Sequence, residues 1–410
     1  MNSKFETTDC AFPFIYTRED VVAYLNLLFL QPHLESNLRQ KKHVLKEFYT
    51  AQVQAPDTRV FNFNIPARYV YLRYRGGGAQ GIVAAAYDLL TSKHVAIKKL
   101  YNPCGTIDSA KRTFREVVLL CALKHDMLIR LEDAFTPQTS AESLNELYLV
   151  TELHHADLYQ VIKARLGLPI QLQPFSMFHL SKIVYQLLAG LNYLLRCGII
   201  HRDLKSLNIV ANQDFTVKIA DFGLARMLPS TPGSKQTTKV VTLSYRAPEI
   251  ILGLNYNEKV DVWSVGCIFA ELILRRVLFE GTEELSVWNS IVKILGSPDE
   301  SYISKIPEET IVRNTPFPPR KPFEQLFPDV YFGKMEENYP TLNAANARDL
   351  LSKMLEYDPD KRISTEEAAQ HPFIKPLYNK AHWDAPLPQL RYDPDIEMED
   401  KSIEDYRAFL

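Results

Sequence analysis

The segment His201-Arg202-Asp203-Leu204-Lys205-Ser206-Leu207-Asn208 constrains this chain more than any other. It puts a carboxylate, a cation and an amide oxygen into one short loop. Such a set suits taking a proton from a hydroxyl (Asp203), neutralising charge on a moving phosphoryl (Lys205) and ligating a divalent cation (Asn208). Downstream, Asp221-Phe222-Gly223 offers a second carboxylate, Asp221, to bridge the metal to phosphates, and Ala247-Pro248-Glu249 closes the series. An isolated Asp-Phe-Gly arises cheaply by chance; the whole series in this order does not.

Upstream, Gly76-Gly77-Gly78-Ala79-Gln80-Gly81-Ile82-Val83 fits G-x-G-x-x-G-x-V between two strand-like segments. Glycines there let backbone N–H groups approach the phosphates of ATP, and Val83 can pack on the adenine. Arg75 stands where an apolar residue is expected, which loosens the strand before the loop. Val95-Ala96-Ile97-Lys98 follows on the next strand. Lys98 reads as the cation for the α- and β-phosphates, paired with Glu116 from a helix expected over residues 109–123; a solvated strand lysine is the plain alternative.

The 410 residues suffice for a two-lobed domain with extensions. With 23% charged and 46% hydrophobic residues and a net charge of −2, nothing points to nucleic acid or a membrane surface as a partner. Five scattered cysteines lack metal-ligand spacing and fit a reducing compartment, so a cytoplasmic or nuclear protein is expected. The apolar run over residues 21–30 is too short to span a bilayer. Thr17 is placed to cap a helix that Pro32 ends, and a second helical pattern runs over 34–49. These read as a helical hairpin packed on the main domain, with a docking or localisation element as the alternative. From Phe61 the texture turns to short strands rich in Val, Tyr and Ile; beyond Ser176 it is mostly helical, and residues 260–274 are apolar almost all round, as in a lobe centre. From Pro376 onward Pro and acidic groups predominate, giving a tail lying on the surface with a last helix over 402–409.

From residue 61 to its C-terminus the chain resembles the mitogen-activated protein kinases, and among them the c-Jun N-terminal kinases most closely. The resemblance rests on Gly78-Ala79-Gln80-Gly81-Ile82-Val83, Phe135-Thr136-Pro137-Gln138, Tyr185-Gln186-Leu187, Trp263-Ser264-Val265-Gly266-Cys267-Ile268 and residues 347–355. It implies an α+β, bilobal protein kinase fold with ATP and Mg²⁺ as cofactors. A β-rich N-lobe reaches to about residue 151, a hinge covers 152–155, and a helical C-lobe covers 156–375 with an insert after Leu295-Gly296-Ser297-Pro298. An N-terminal helical extension (1–60) and a C-terminal extension (376–410) flank this domain. The resemblance implies that Gly76, Gly78, Ala79, Gln80, Gly81, Val83, Ala96 and Lys98 face the nucleotide. Glu152 and His154 would present the backbone that reads adenine, Val210 would lie beneath the ring, and Asp157 would contact the ribose. Thr151 would control the pocket behind ATP, and Thr242 would contact Asp203 and Lys205. Asp261 would anchor the catalytic loop, and Glu249 would pair with Arg362.

The sequence also departs from that family. The Thr-x-Tyr triplet phosphorylated in relatives corresponds to Thr237-Thr238-Lys239, and the arginine that receives the phosphotyrosine is Leu243. Loss of both halves leaves activation through one threonine, Thr237 ahead of Thr238, with Arg115, Arg202 and Arg226 as its guanidinium receptors. A loop ordered constitutively by Lys239 is the alternative. Ser-Pro or Thr-Pro substrates and an upstream MAP kinase kinase are expected, although Ser244 replaces an aromatic residue in the proline-receiving segment. After Tyr378 only Asp384 remains of the acids that hold basic docking peptides, so docking or scaffold partners are expected to differ. A nucleotide-binding signalling scaffold with little catalysis is the competing reading.

Overall fold

The computed structural model describes residues 47–78, 81–166, 175–227, 242–308, 310, 317–388 and 401–410. The helix after Thr17, the helical pattern as far as residue 46, and Ala79, Gln80, Thr237, Thr238 and Lys239 lie outside them. The chain divides into two compact units, one of residues up to 124, 130–153 and 387–410, the other of 125–129 and 154–386. Among the described residues no helix is long and apolar enough to cross a membrane.

The first unit is built on strands with strong β-formers at alternate positions. β1 (Phe48–Gln54) and β2 (Val60–Pro66) form a hairpin. β3 (Tyr69–Gly78), β4 (Gly81–Asp88), β5 (Lys93–Tyr101), β6 (Leu131–Phe135) and β7 (Glu146–Glu152) form an antiparallel sheet in the order β3-β4-β5-β7-β6. Ile82, Ala84, Ala86, Val95, Ile97, Tyr148 and Val150 point to one face, where Val53, Phe63 and Ile65 of the hairpin join them in one core. The alternation leaves Val83, Ala96, Lys98 and Thr151 on the opposite face. A polar link fastens the hairpin: the Lys99 Nζ donates to the Asn62 carbonyl (2.7 Å) and to Glu146 (2.6 Å), and the Asn64 N–H donates to the Tyr148 hydroxyl (2.9 Å).

This hairpin corrects two expectations. The helical pattern does not run to Tyr49, nor a helical extension to residue 60, because Phe48 and Tyr49 open β1 in register from Phe48↔Pro66 to Gln54↔Val60. An otherwise bare sheet face is the cause, since the aromatic and β-branched residues there gain more from covering it than a polar helix would.

Helix α1 (Ile107–Ala122) starts at Thr106, whose hydroxyl accepts the Ser109 N–H at 3.1 Å while the Ser109 hydroxyl accepts the Thr106 N–H at 2.9 Å. Phe114 on its buried face meets Tyr406 and Phe409, with ring centroids 5.8 and 5.4 Å apart. These belong to the C-terminal helix, Ile403–Phe409, capped by Ser402. The tail therefore does not simply lie on the surface, as Tyr406 is 0% exposed. Its two aromatic rings, one helical turn apart, bury themselves against α1.

The second unit is organised around α2 (Leu158–Lys163), α3 (Met177–Arg196) and α4 (Lys259–Leu274). Helix α4 is buried at almost every position, as its apolar sequence requires, with Asp261, Ser264 and Glu271 as its buried polar residues. Beside it the Arg362 guanidinium grips the Glu249 carboxylate with two bonds (2.7 and 2.9 Å). Arg362 spends its other donors on the carbonyls of Glu356, Lys259 and Tyr357 and stacks on Trp263, 5.1 Å from the ring centre. The segment after Tyr378 is tied to α3, since Arg196 donates to the Trp383 and Ala385 carbonyls and Asn192 to that of Trp383.

Candidate active site

In the first unit, β3 and β4 pair up to Gly78↔Gly81, with a register shift between Tyr74 and Gly76, where Arg75 interrupts the apolar pattern. The glycines have different reasons to be there. A Cβ on Gly81 would sit 2.1 Å from the Lys99 carbonyl oxygen, so the sheet itself demands glycine. A Cβ on Gly76 or Gly78 would meet nothing within 4 Å. Open backbone at those two positions fits a phosphate-binding loop. One strand further, Val83↔Lys98 and Lys98↔Leu149 are register partners, as are Ala96 and Thr151. The candidate nucleotide residues thus share one sheet face. The Lys98 Nζ donates to Glu116 Oε1 of α1 at 2.5 Å. A largely buried pair of this kind holds the ammonium group in place. The Glu152 carboxylate accepts the Arg130 N–H at 3.1 Å, steadying the end of β7. The chain passes into the second unit between Leu153 and His154, within the expected hinge.

In the second unit the loop of residues 201–208 is suspended from α4. The Asp261 carboxylate accepts the N–H groups of His201 (2.7 Å) and Arg202 (2.8 Å), and burial pushes its pKa up. Those bonds hold Arg202 in a left-handed conformation, φ 66°, that a non-glycine residue adopts at a cost. Next along the loop, the Asp203 Oδ2 accepts the Lys205 Nζ (2.8 Å) and the Asn208 Nδ2 (3.0 Å). The Thr242 hydroxyl accepts a second bond from Lys205 Nζ at 2.8 Å. With Nδ2 spent on the side chain and carbonyl of Asp203, Asn208 keeps its Oδ1 as an oxygen donor. Asp221, also left-handed at φ 66°, follows Ala220, whose N–H donates to the Asn208 carbonyl at 2.9 Å. The Asn208 amide oxygen and the Asp221 carboxylate, on segments linked by that backbone bond, are the oxygen types that fit Mg²⁺, which takes few protein ligands and completes its shell from phosphates and water. Phe222 is fully buried against the His201 ring.

The other expected residues fall in both units. Asp157 and Val210 are partners on the short paired strands Ala156–Asp157 and Ile209–Ala211. The Asp157 carboxylate also caps α2 through the Gln160 N–H (2.7 Å), while burial raises its pKa. Arg226 pairs across from Ile200, which precedes the loop holding Arg202; Arg202 donates to the Leu224 carbonyl (3.0 Å) and the Tyr256 hydroxyl (3.1 Å). Arg115 lies in the first unit, 2% exposed. The sequence reading assigned nothing to Ser206 or Glu271, which meet at 3.1 Å beneath the catalytic loop. A glutamate in the apolar second half of α4 is the signal that points to one of them.

The chain matches the family described as Protein kinase domain over residues 69–374. It is 43% identical over 367 residues to the stress-activated protein kinase JNK of Drosophila melanogaster, covering 89% of this chain and 94% of that one. It is also 43% identical over 351 residues to GLH-binding kinase 1 of Caenorhabditis elegans, covering 85% and 88%. The chain belongs to the protein kinase family, as a JNK-like mitogen-activated protein kinase, and is a serine/threonine protein kinase.

Proposed function

We propose that this kinase transfers the γ-phosphoryl of ATP to serine or threonine hydroxyls followed by proline, in a stress-type signalling cascade in the cytoplasm or nucleus. The observation that carries the transfer chemistry is the set of contacts around Asp203. With Oδ2 occupied by Lys205 and Asn208 and Oδ1 touched only by a long bond from the Thr242 N–H (3.5 Å), Oδ1 can accept the substrate hydroxyl proton. Lys205 is placed to offset negative charge as the phosphoryl moves, and Thr242 fixes the direction of its ammonium. Lys98, held by Glu116, would orient the α- and β-phosphates, with Gly76 and Gly78 giving their backbone to the phosphates. Asn208 and Asp221 would hold Mg²⁺, which supplies charge neutralisation to the phosphates when bound. Val83, Ala96 and Val210 would pack on adenine, Thr151 would border the pocket behind it, and the Glu152–His154 backbone would read its edge.

Thr237 is the proposed activating phosphosite, with Thr238 second and Arg202, Arg226 and Arg115 as its receptors. Partners are then Ser/Thr-Pro substrates, an upstream MAP kinase kinase, and scaffolds that do not depend on an acidic docking patch. Radiolabelled ATP with paired Ser-Pro and Ser-Ala peptides tests the reading, with Asp203→Ala as control. Equal labelling of both peptides overturns proline direction, and no Asp203-dependent labelling overturns the transfer chemistry in favour of a scaffold. Treatment with an upstream kinase that activates Thr237→Ala and Thr238→Ala as fully as the wild type overturns the single-threonine switch.

A further inference from the structure

Beneath the catalytic loop, three buried side chains meet. The Ser206 hydroxyl donates to Glu271 Oε1 (3.1 Å), the Tyr245 hydroxyl donates to Glu271 Oε2 (2.8 Å), and the two hydroxyl oxygens are 3.1 Å apart. Ser206 is 0% exposed and Glu271 1%. Each carboxylate oxygen thus has its own donor, which a carboxylate this far from water requires. Tyr245 is gripped at a second point, because the Ser264 hydroxyl donates to its carbonyl at 2.8 Å. Asp261, Ser264 and Glu271 fall on one side of α4, given its period of about 3.6 residues. The first holds the start of the catalytic loop, and the other two hold the end of the segment Leu243–Tyr245.

We infer that Ser206 is a positioning residue that, through Glu271, locks the catalytic loop to the Leu243–Tyr245 segment and so sets the reacting groups against the protein substrate. This rests on the proposed reading of Asp203, Lys205 and Asn208. Ser206 lies between Lys205 and Asn208 in a single tight turn, with the Asn208 N–H bonded to the Lys205 carbonyl at 2.9 Å. The Lys205–Thr242 bond ties the same two segments at their half-exposed end. Two ties, one wet and one dry, fix both the spacing and the rotation of one segment against the other. Loss of the Ser206 hydroxyl strips Glu271 Oε1 of its donor, and the turn shifts to repair it.

The test uses the full chain with Ser206→Ala, Tyr245→Phe and the double variant. We measure kcat, the KM values for peptide and ATP, and hydrogen exchange at the Asn208 amide and at the Arg246 amide, which donates to the Leu243 carbonyl at 3.0 Å. The expected result is a loss of about tenfold in kcat/KM for peptide, with the KM for ATP within about twofold of wild type. Both amides exchange faster, and the double variant is no worse than the poorer single. A merely structural role would leave the peptide-against-ATP split unmoved. Wild-type kcat/KM together with wild-type exchange in Ser206→Ala overturns the inference. Tyr245→Phe keeps the ring and carries the same test should Ser206→Ala not fold. A wild-type protein that transfers no phosphate defeats the kinase chemistry, while amide exchange still decides the lock.

Discussion

At the scale of single residues, charge placement and backbone access divide the work. Asp203→Asn keeps the size and one hydrogen-bonding oxygen while removing the proposed base. We expect kcat to fall by about 10²–10⁴-fold with little change in the KM for ATP, read by steady-state kinetics. The glycines give a sharper contrast. Gly81→Ala drives a Cβ into the Lys99 carbonyl oxygen and should cost about 1–3 kcal/mol or more, seen as a lower Tm. Gly76→Ala meets open space, so the Tm should hold while the KM for ATP rises. The polar cluster of residues 201–208 stood out in the sequence because its charged and amide groups are packed into a few consecutive positions. Glu271 was not, since its partners Ser206 and Tyr245 are distant along the chain and meet it only after α4 is buried.

At the scale of elements, legibility followed pattern strength. Helix α1 announces itself through Thr106, Ser109 and an apolar face, and α4 through an apolar run broken only by Asp261, Ser264 and Glu271. β1 has one fully buried residue, Val53, so its sequence lacks the clean alternation that marks a strand. The turn it shares with β2, closed by the Ala55 N–H to the Arg59 carbonyl (2.8 Å), and the alternation of Phe61, Phe63 and Ile65 are the available signals. The C-terminal helix was legible as a helix but not as core, because flanking polar composition masked the Tyr406 and Phe409 pair. We expect Tyr406→Ala to destabilise by about 3–5 kcal/mol, a large-to-small loss beside Phe114 measured by denaturant unfolding. A chain beginning at residue 61 should fare worse than one beginning at 47, since it exposes the sheet face that the hairpin covers.

At the scale of the whole molecule, titration follows from burial. Burial pushes the pKa values of His125, His179 and His371 below their usual 6.5. The unfolded chain therefore binds protons that the folded one refuses. Stability contributed by these groups is present above that value and is lost as pH falls through it. Asp88 and Glu146 add a second loss at lower pH. Burial alone would raise both, but it is outweighed by Arg68 at Asp88 and by Lys99 and Tyr148 at Glu146. Asp133, Asp157, Asp261 and Glu271, raised by burial, act in the opposite sense. We expect Tm to drop by a few degrees between pH 7 and about 6 as the three histidines of the unfolded chain take up protons, as measured by calorimetry. An unchanged or rising Tm across that window would contradict this account.

The Glu249–Arg362 pair has a consequence for how such a chain can change over generations. Arg362 directs its donors at both oxygens of Glu249 and at three separate carbonyls, and none of those acceptors lies at the surface end of a flexible chain. Lysine at 362 offers three donors from a single point and cannot reach the same set. A neutral residue at either position strands a charge in the interior at a cost of about 3–5 kcal/mol. Every one-step path away from the pair therefore descends before it can rise. The two positions form a mutational trap, able to drift only if they change together.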